Sequence, residues 1–204
     1  MLRFLKRIHS YNFRPKVYHQ EFHRYFLISN GLAEVGPEGK RGMGGLGVQQ
    51  VKPVVQPSVR GLCVKPYPGH KKGCPNFNKR FSCPPRAGLL TEFLDFTKPI
   101  YCIYNAYDIG KHVEKMKLKH PTWSERQLYN CLYWQGTARK QLRQRVKAFL
   151  KENLGLYPSY CPEAGGINIT ETMKQIGITL EWPPKHFAYQ IALVGSLAVR
   201  RSCE

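Results

Sequence analysis

Acidic residues are scarce in this chain. Its 204 residues carry 13 Asp+Glu against 32 Lys+Arg, a formal net charge of +19. That is far beyond what solubility requires, so a polyanionic partner is the first expectation. Nucleic acid leads, RNA ahead of DNA, with an anionic membrane surface or an acidic protein behind it. Long apolar runs are missing as well: nothing approaches about 18 consecutive apolar residues, which excludes a transmembrane helix. Closely spaced cysteines are the third absence. The seven Cys are odd in number and form no Cys-x2-4-Cys pair, and no secretory signal precedes them. A disulfide framework is therefore excluded in favour of an intracellular, reducing compartment. The cytoplasm is favoured, with an organellar matrix as the alternative. That alternative arises because residues 1–20 hold five Lys/Arg and no acid, the composition of a presequence or, with serine so scarce there, of a basic arm.

The length suits one domain with its own core. Gly36 to Gly47 holds six glycines in twelve residues. Bare backbone N–H groups of that kind can cradle phosphate, but a phosphate loop needs a strand before it and a helix after it. Neither is indicated, so the stretch reads as a flexible linker. Residues 1–50 are thus expected to be a basic, Gly-rich N-terminal arm and residues 51–204 an α+β domain. His19 and His23 stand four apart, but Glu21 is misplaced for a zinc-protease HExxH motif, so no metal is assigned there.

Within the domain, Pro99 to Tyr107 has the aromatic and β-branched content of a strand, with Cys102 a core residue inside it. Asp108 is placed to cap a helix running to about Lys119, ended by Pro121. Thr122 to Glu125 reads as a capping box opening one long helix to about Asn153. Its apolar positions would be Leu128, Leu132, Ala138, Leu142, Val146 and Phe149, with Cys131 packed beside them and Gly155 terminating the helix. Further on, a short helix over Thr170–Ile176 stops at Gly177, and strands follow over Ile178–Trp182 and Phe187–Leu197. A small sheet packed on a long basic helix is the expected architecture. From Lys111 to Lys151 there are eleven Lys/Arg and two Glu. Arg139, Lys140, Arg143 and Lys147 cluster there as a phosphate-contacting face.

The densest chemistry lies in Gly61 to Ala87, which holds Cys63, Cys74 and Cys83, five prolines, six Lys/Arg and no acid. Proline at this density leaves neither a long helix nor a central strand, so the loop needs something else to hold it. Three cysteines are followed by proline, Cys74-Pro75, Cys83-Pro84 and Cys161-Pro162, as at the end of the bacterial ferredoxin ligand run. Cys63, Cys74, Cys83 and Cys161 are therefore the expected metal ligands, with His70 and Glu163 as alternatives for the fourth place. Because structural zinc sites bring ligands as close pairs, the wide spacing ranks an iron–sulfur cluster, of the 4Fe–4S kind, above zinc. Buried thiols without metal are the plain alternative. With three Cys ligands one iron would stay open as a Lewis acid. With Cys161 the site would be closed, and structural or electron-transferring. Glu163 is the candidate acid/base group beside it, and Lys71, Lys72, Lys79 and Arg80 extend the basic surface.

The segments GCPNFNKRFSCPP (Gly73 to Pro85) and PEAGGINITETMKQIGI (Pro162 to Ile178) resemble a family of uncharacterised bacterial and archaeal predicted metal-binding proteins. Members carry a Cys-x-x-Tyr-Gly-Lys/Arg-x-Trp-x-Cys-Pro-Pro segment and a later Met-Glu-Ala-x-Gly-Ile-Asp-Val-x-x-Thr segment. The resemblance covers about a quarter of the chain. It implies cysteine-ligated metal, with Cys74 and Cys83 as ligands and Glu163 as a motif residue. Phe77-Asn78 stands where the family has an aromatic–glycine pair, and the family's cysteine-rich middle segment is absent. The expected function is a metal-binding, iron–sulfur protein whose basic surface contacts nucleic acid. Two alternatives come from other classes: a ribonucleoprotein component with a zinc-stapled loop, and an electron-transfer protein docking an acidic partner.

Overall fold

The computed structural model describes residues 46–67 and 70–199, within the unit Gly42–Glu204. The expected N-terminal arm up to residue 45, with His19 and His23, and Cys203 lie outside the described residues. The fold is α+β, built on a four-stranded antiparallel sheet of order β1-β2-β4-β3. Its strands are β1 (Leu46–Val51), β2 (Ile100–Asp108), β3 (Leu156–Ser159) and β4 (Phe187–Ser196). Strand β1 starts inside the segment assigned to the arm and pairs with β2 from Leu46↔Asn105 to Val51↔Ile100. On the far edge Pro158 of β3 lies opposite Val194.

Strands β2 and β4 are apolar at consecutive positions because both sheet faces are covered. Along β2, Ile100, Cys102 and Tyr104 join one cluster with Leu90, Leu94, Ile167 and Met173, while Ile103 joins the other with Leu142, Val146, Ala192 and Val194. This is the period-two alternation of a strand with two buried faces. The second face is covered by helix α4 (Gln135–Glu152), whose buried residues are Ala138, Leu142 and Val146. A helix seated this way turns Arg139, Lys140, Arg143 and Lys147 outward, and all four are exposed. Two polar contacts fix its seat. The buried Asn105 amide donates to Ala138 O at 3.3 Å and Gln141 Oε1 at 2.9 Å, and Arg145 donates to Tyr104 O at 3.0 Å. A buried amide without such partners would be destabilising, so helix and strand are held in one register.

After a single helical turn, α1 (Leu90–Phe93), ahead of β2, Asp108 caps α2 (Ile109–Lys119), its Oδ1 accepting from Lys111 N at 2.8 Å. The long helix expected from Thr122 is broken in three. Short α3 (Glu125–Leu128), a 3-10 turn at Cys131–Tyr133 and α4 replace it, and the capping box forms at Ser124 and Gln127. Asn130 breaks it, its side chain accepting from Leu132 N at 3.0 Å in competition with the helical backbone. The break turns Trp134 inward, stacked on Tyr107 at 5.6 Å, and turns Leu132 out to 83% exposure. Cys131, expected in the packed stripe, is exposed.

Helix α5 (Ile169–Lys174) closes with Gly177 at φ +74°, Gly177 N bonding Lys174 O and Ile178 N bonding Met173 O, a Schellman motif. The strand expected over Ile178–Trp182 does not form. Ile178 and Leu180 pack on the core, and Glu181 turns the chain by accepting from the backbone N–H groups of Lys185 (2.9 Å) and His186 (3.0 Å). Strands β1 and β3, neither of them expected, complete the sheet with β2 and β4.

Those two backbone bonds, His186 first, and then the His186 ring hold the Glu181 carboxyl down to about 2, against an ordinary 4.5. The folded state therefore prefers the ionised carboxylate. Its contribution is present in full above about pH 4.5 and is lost as pH falls through about 2. For Glu181→Gln we expect a stability deficit that opens across this window and stays constant above it, measured by urea unfolding at a series of pH values. Solvent exposure of the pair keeps the deficit small.

Candidate metal-binding cleft

The cysteine loop has little core of its own. Leu62, Val64 and Phe81 are exposed, and its backbone runs mostly in turns after a 3-10 helix, Pro57–Val64. Its shape comes from fastenings at both ends. At the start, Val55 bridges Ile167 and Gln56 N donates to Gly166 O at 2.8 Å. At the finish, Leu90 N donates to Gly165 O, also at 2.8 Å. Two consecutive carbonyls of the Gly165–Gly166 pair thus clamp both ends of the loop. A third fastening runs across its neck, where the Arg60 guanidinium donates to Ala87 O and, at 3.3 Å, to Pro85 O.

Glycine is needed at the clamp. Gly166 has φ +83°, and a Cβ on Gly165 would lie 2.8 Å from Leu90 Cβ. Just before the pair, Cys161 to Gly166 coils into a tight turn, with Ala164 N bonding Cys161 O and Gly165 N bonding Pro162 O, both at 3.0 Å. Asn168 then fastens the turn to the start of the loop, its N–H reaching Val54 O at 2.8 Å and its amide reaching Gln56 Oε1 at 2.7 Å.

Inside the loop, Cys74 N donates to Cys63 O at 2.7 Å, bringing these two residues together. Gly73 allows this by its left-handed φ of +77°, since a Cβ there would meet Cys63 O at 2.6 Å. Lower in the loop, Cys83 N bonds Arg80 O at 3.0 Å and Asn78 N bonds Pro84 O at 2.8 Å.

The clamp sets the turn of Cys161 and Glu163 beside the cysteine loop, and the space between them is the candidate cleft. Burial pushes the Cys63 thiol up, and so do Cys74, Cys83 and Glu163, against a downward pull from Arg60. Cys161 is pushed up by burial, then by Glu163 and Cys83, against Arg139 and Arg80. Glu163 keeps contact with solvent while protein crowds its carboxyl, and this burial pushes its pKa up. Arg80 from the loop and Arg139 from α4 thus both stand within electrostatic reach of Cys161, and Arg143 within reach of Tyr160.

Lys71, Lys72, Lys79, Lys140 and Lys147 are exposed, and no contact ties them to the cleft. His70 is exposed too, folded back on Tyr67 with ring centroids 4.7 Å apart. Cys102 is a core thiol, 3.5 Å from Met173 Sδ and pushed up to about 12 by burial. Three features of this neighbourhood carry no signal in the sequence: Arg60, Gly73 and Cys131. Cys131 stands with Cys63 and Cys74 near enough to Tyr67 for each to raise its pKa, after the larger effect of burial.

Among the described residues no three His, Cys, Asp or Glu side chains converge tightly enough to hold a single metal ion. Thiols on one tetrahedral zinc must come within about 3.8 Å of each other. No family model, curated protein or solved structure matches the chain. For Gly73→Ala we expect a stability decrease of about 1–3 kcal/mol, from backbone forced out of the left-handed region and from displacement of the Cys63 carbonyl. Urea unfolding of the purified protein measures it.

Proposed function

We propose that this chain is an iron–sulfur protein that binds RNA, with Cys63, Cys74, Cys83 and Cys161 holding the cluster. The observation that carries this reading is the clamp: Gly165 and Gly166 pin both ends of the cysteine loop beside Cys161 and Glu163. Four thiolates around one carboxylate would repel one another strongly in a low-dielectric cleft, and a bound cationic centre offsets that repulsion. The cluster would supply either redox capacity or, at an open iron, Lewis acidity. The chain's own residues supply the rest: Arg60, Arg80 and Arg139 balance the thiolate charge, and proline after three of the ligands stiffens the backbone beside them.

Asn78 supports the resemblance on which part of this reading rests. It has φ 56°, and it stands where the resembled family has glycine. Asparagine is among the few non-glycine residues that tolerate the left-handed region, so a glycine would also fit this turn. The RNA half of the proposal rests on charge. Arg139, Lys140, Arg143 and Lys147 are exposed on α4, and none of them makes an ion pair among the described residues. No helix among the described residues is long and apolar enough to cross a membrane.

Protein purified without oxygen is expected to show a broad visible absorption, with iron and acid-labile sulfide present. Cys74→Ser and Cys83→Ser should each abolish both. A colourless wild type with stoichiometric zinc would replace the cluster by a zinc staple, and absence of any metal would defeat both. RNA affinity should fall steeply as salt is raised. Reversing Arg139 and Arg143 to Glu should flatten that dependence by about 0.7 in log–log slope for each phosphate no longer neutralised.

A further inference from the structure

Three aromatic rings assemble at the break between α2 and α4. His120, the C-cap of α2, stacks on Trp123 with centroids 4.0 Å apart and planes 6° from parallel. Tyr133, from the 3-10 turn, lies against Trp123 at 4.8 Å and 33°. The Trp123 backbone N–H donates to His120 O at 3.1 Å, and Tyr133 N bonds Asn130 O at 3.1 Å, so backbone contacts fix both sides of the stack. Burial explains only part of it. Trp123 packs on the Ile109, Val113 and Leu128 cluster, but Tyr133 stays 49% exposed. A ring already in contact with a tryptophan and still half open to water is not a core residue.

The surroundings are cationic. Lys117 and Lys119 precede the stack on the last turn of α2, and Arg126 follows it on α3; all three are exposed and make no ion pair among the described residues. Flat aromatic faces beside unpaired cations are the two components that hold single-stranded nucleic acid: bases stack on the rings and phosphates meet the charges.

We propose that His120, Trp123 and Tyr133 form a base-stacking platform for single-stranded RNA, which Lys117, Lys119 and Arg126 hold by its phosphates. This rests on the RNA half of the proposed function and is independent of the cluster. It also assigns a purpose to the broken helix, since an unbroken one would not bring Tyr133 to Trp123.

The test titrates full-length protein with an oligouridine and, in parallel, with inorganic polyphosphate, which carries the charge without the bases. Tyr133→Ala is expected to weaken oligouridine binding at least fivefold, about the lower end for one stacked base. Its salt slope and its polyphosphate affinity should stay unchanged. Tyr133→Phe should restore binding, and Trp123 fluorescence should be quenched by oligouridine and not by polyphosphate. Equal oligouridine affinity for wild type and Tyr133→Ala would overturn the platform while leaving RNA binding elsewhere on the surface intact. A parallel weakening of both ligands would also overturn it, as would a wild type that binds polyphosphate and not oligouridine. A wild type that binds neither would remove the RNA reading as a whole and the platform with it. Thermal unfolding of Tyr133→Ala within a few degrees of wild type separates these outcomes from misfolding, and His120→Ala provides the second variant should that one unfold.

Discussion

Two adjacent peptide carbonyls, those of Gly165 and Gly166, fasten the cysteine loop of this protein to the rest of the fold. Each accepts one amide, from Leu90 and from Gln56, and between those amides lies the whole cysteine loop. A loop with little buried apolar surface cannot offset its conformational entropy by packing. Fixing its two ends at one place removes much of the freedom it would otherwise have. The same two glycines follow directly on Cys161-Pro162-Glu163, so the clamp that shapes the loop also delivers the last thiol and the carboxylate to it. Structure and candidate chemistry share one fastening.

The clamp depends in turn on the sheet. Ile167, Ile169 and Met173, just beyond it, are buried on the face formed by Ile100, Cys102, Ile191 and Leu193. The opposite face carries α4, and Asn105 locks that helix in place. Arg80 of the loop and Arg139 of α4 both act electrostatically on Cys161 although they come from different parts of the chain. Thiolates beside a carboxylate would be electrostatically costly alone, and Arg60, Arg80 and Arg139 are the cations that act against that cost.

Much of this was legible in residue types whose effect is local. Asp108 before an apolar periodic run, Gly177 after one, and alternating aromatic and β-branched residues around Cys102 each specify their structure within a few positions. The breaks were not legible, because long-range packing decides them. Thr122 and Ser124 are both good helix caps; Ser124 is the one used, Asn130 interrupts the helix, and Trp134 is buried against Tyr107 beyond the break. Ile178–Trp182 has strand composition, yet Glu181 spends its carboxylate on the backbone of Lys185 and His186. At the cleft, the cysteines and Glu163 stand out from their neighbours by composition. Arg60 does not, since one arginine among many carries no signal until its partners, the carbonyls of Pro85 and Ala87, are known.

Pro158 gives the sheet a directional property. It sits in the four-residue edge strand β3, opposite Val194, and a proline has no N–H to offer to a further strand. A short edge interrupted in this way is a poor template for another chain. For a protein with exposed thiols at Cys131 and Cys161, that protection lowers the chance of strand-to-strand association along the edge from which the chain runs on to Cys161.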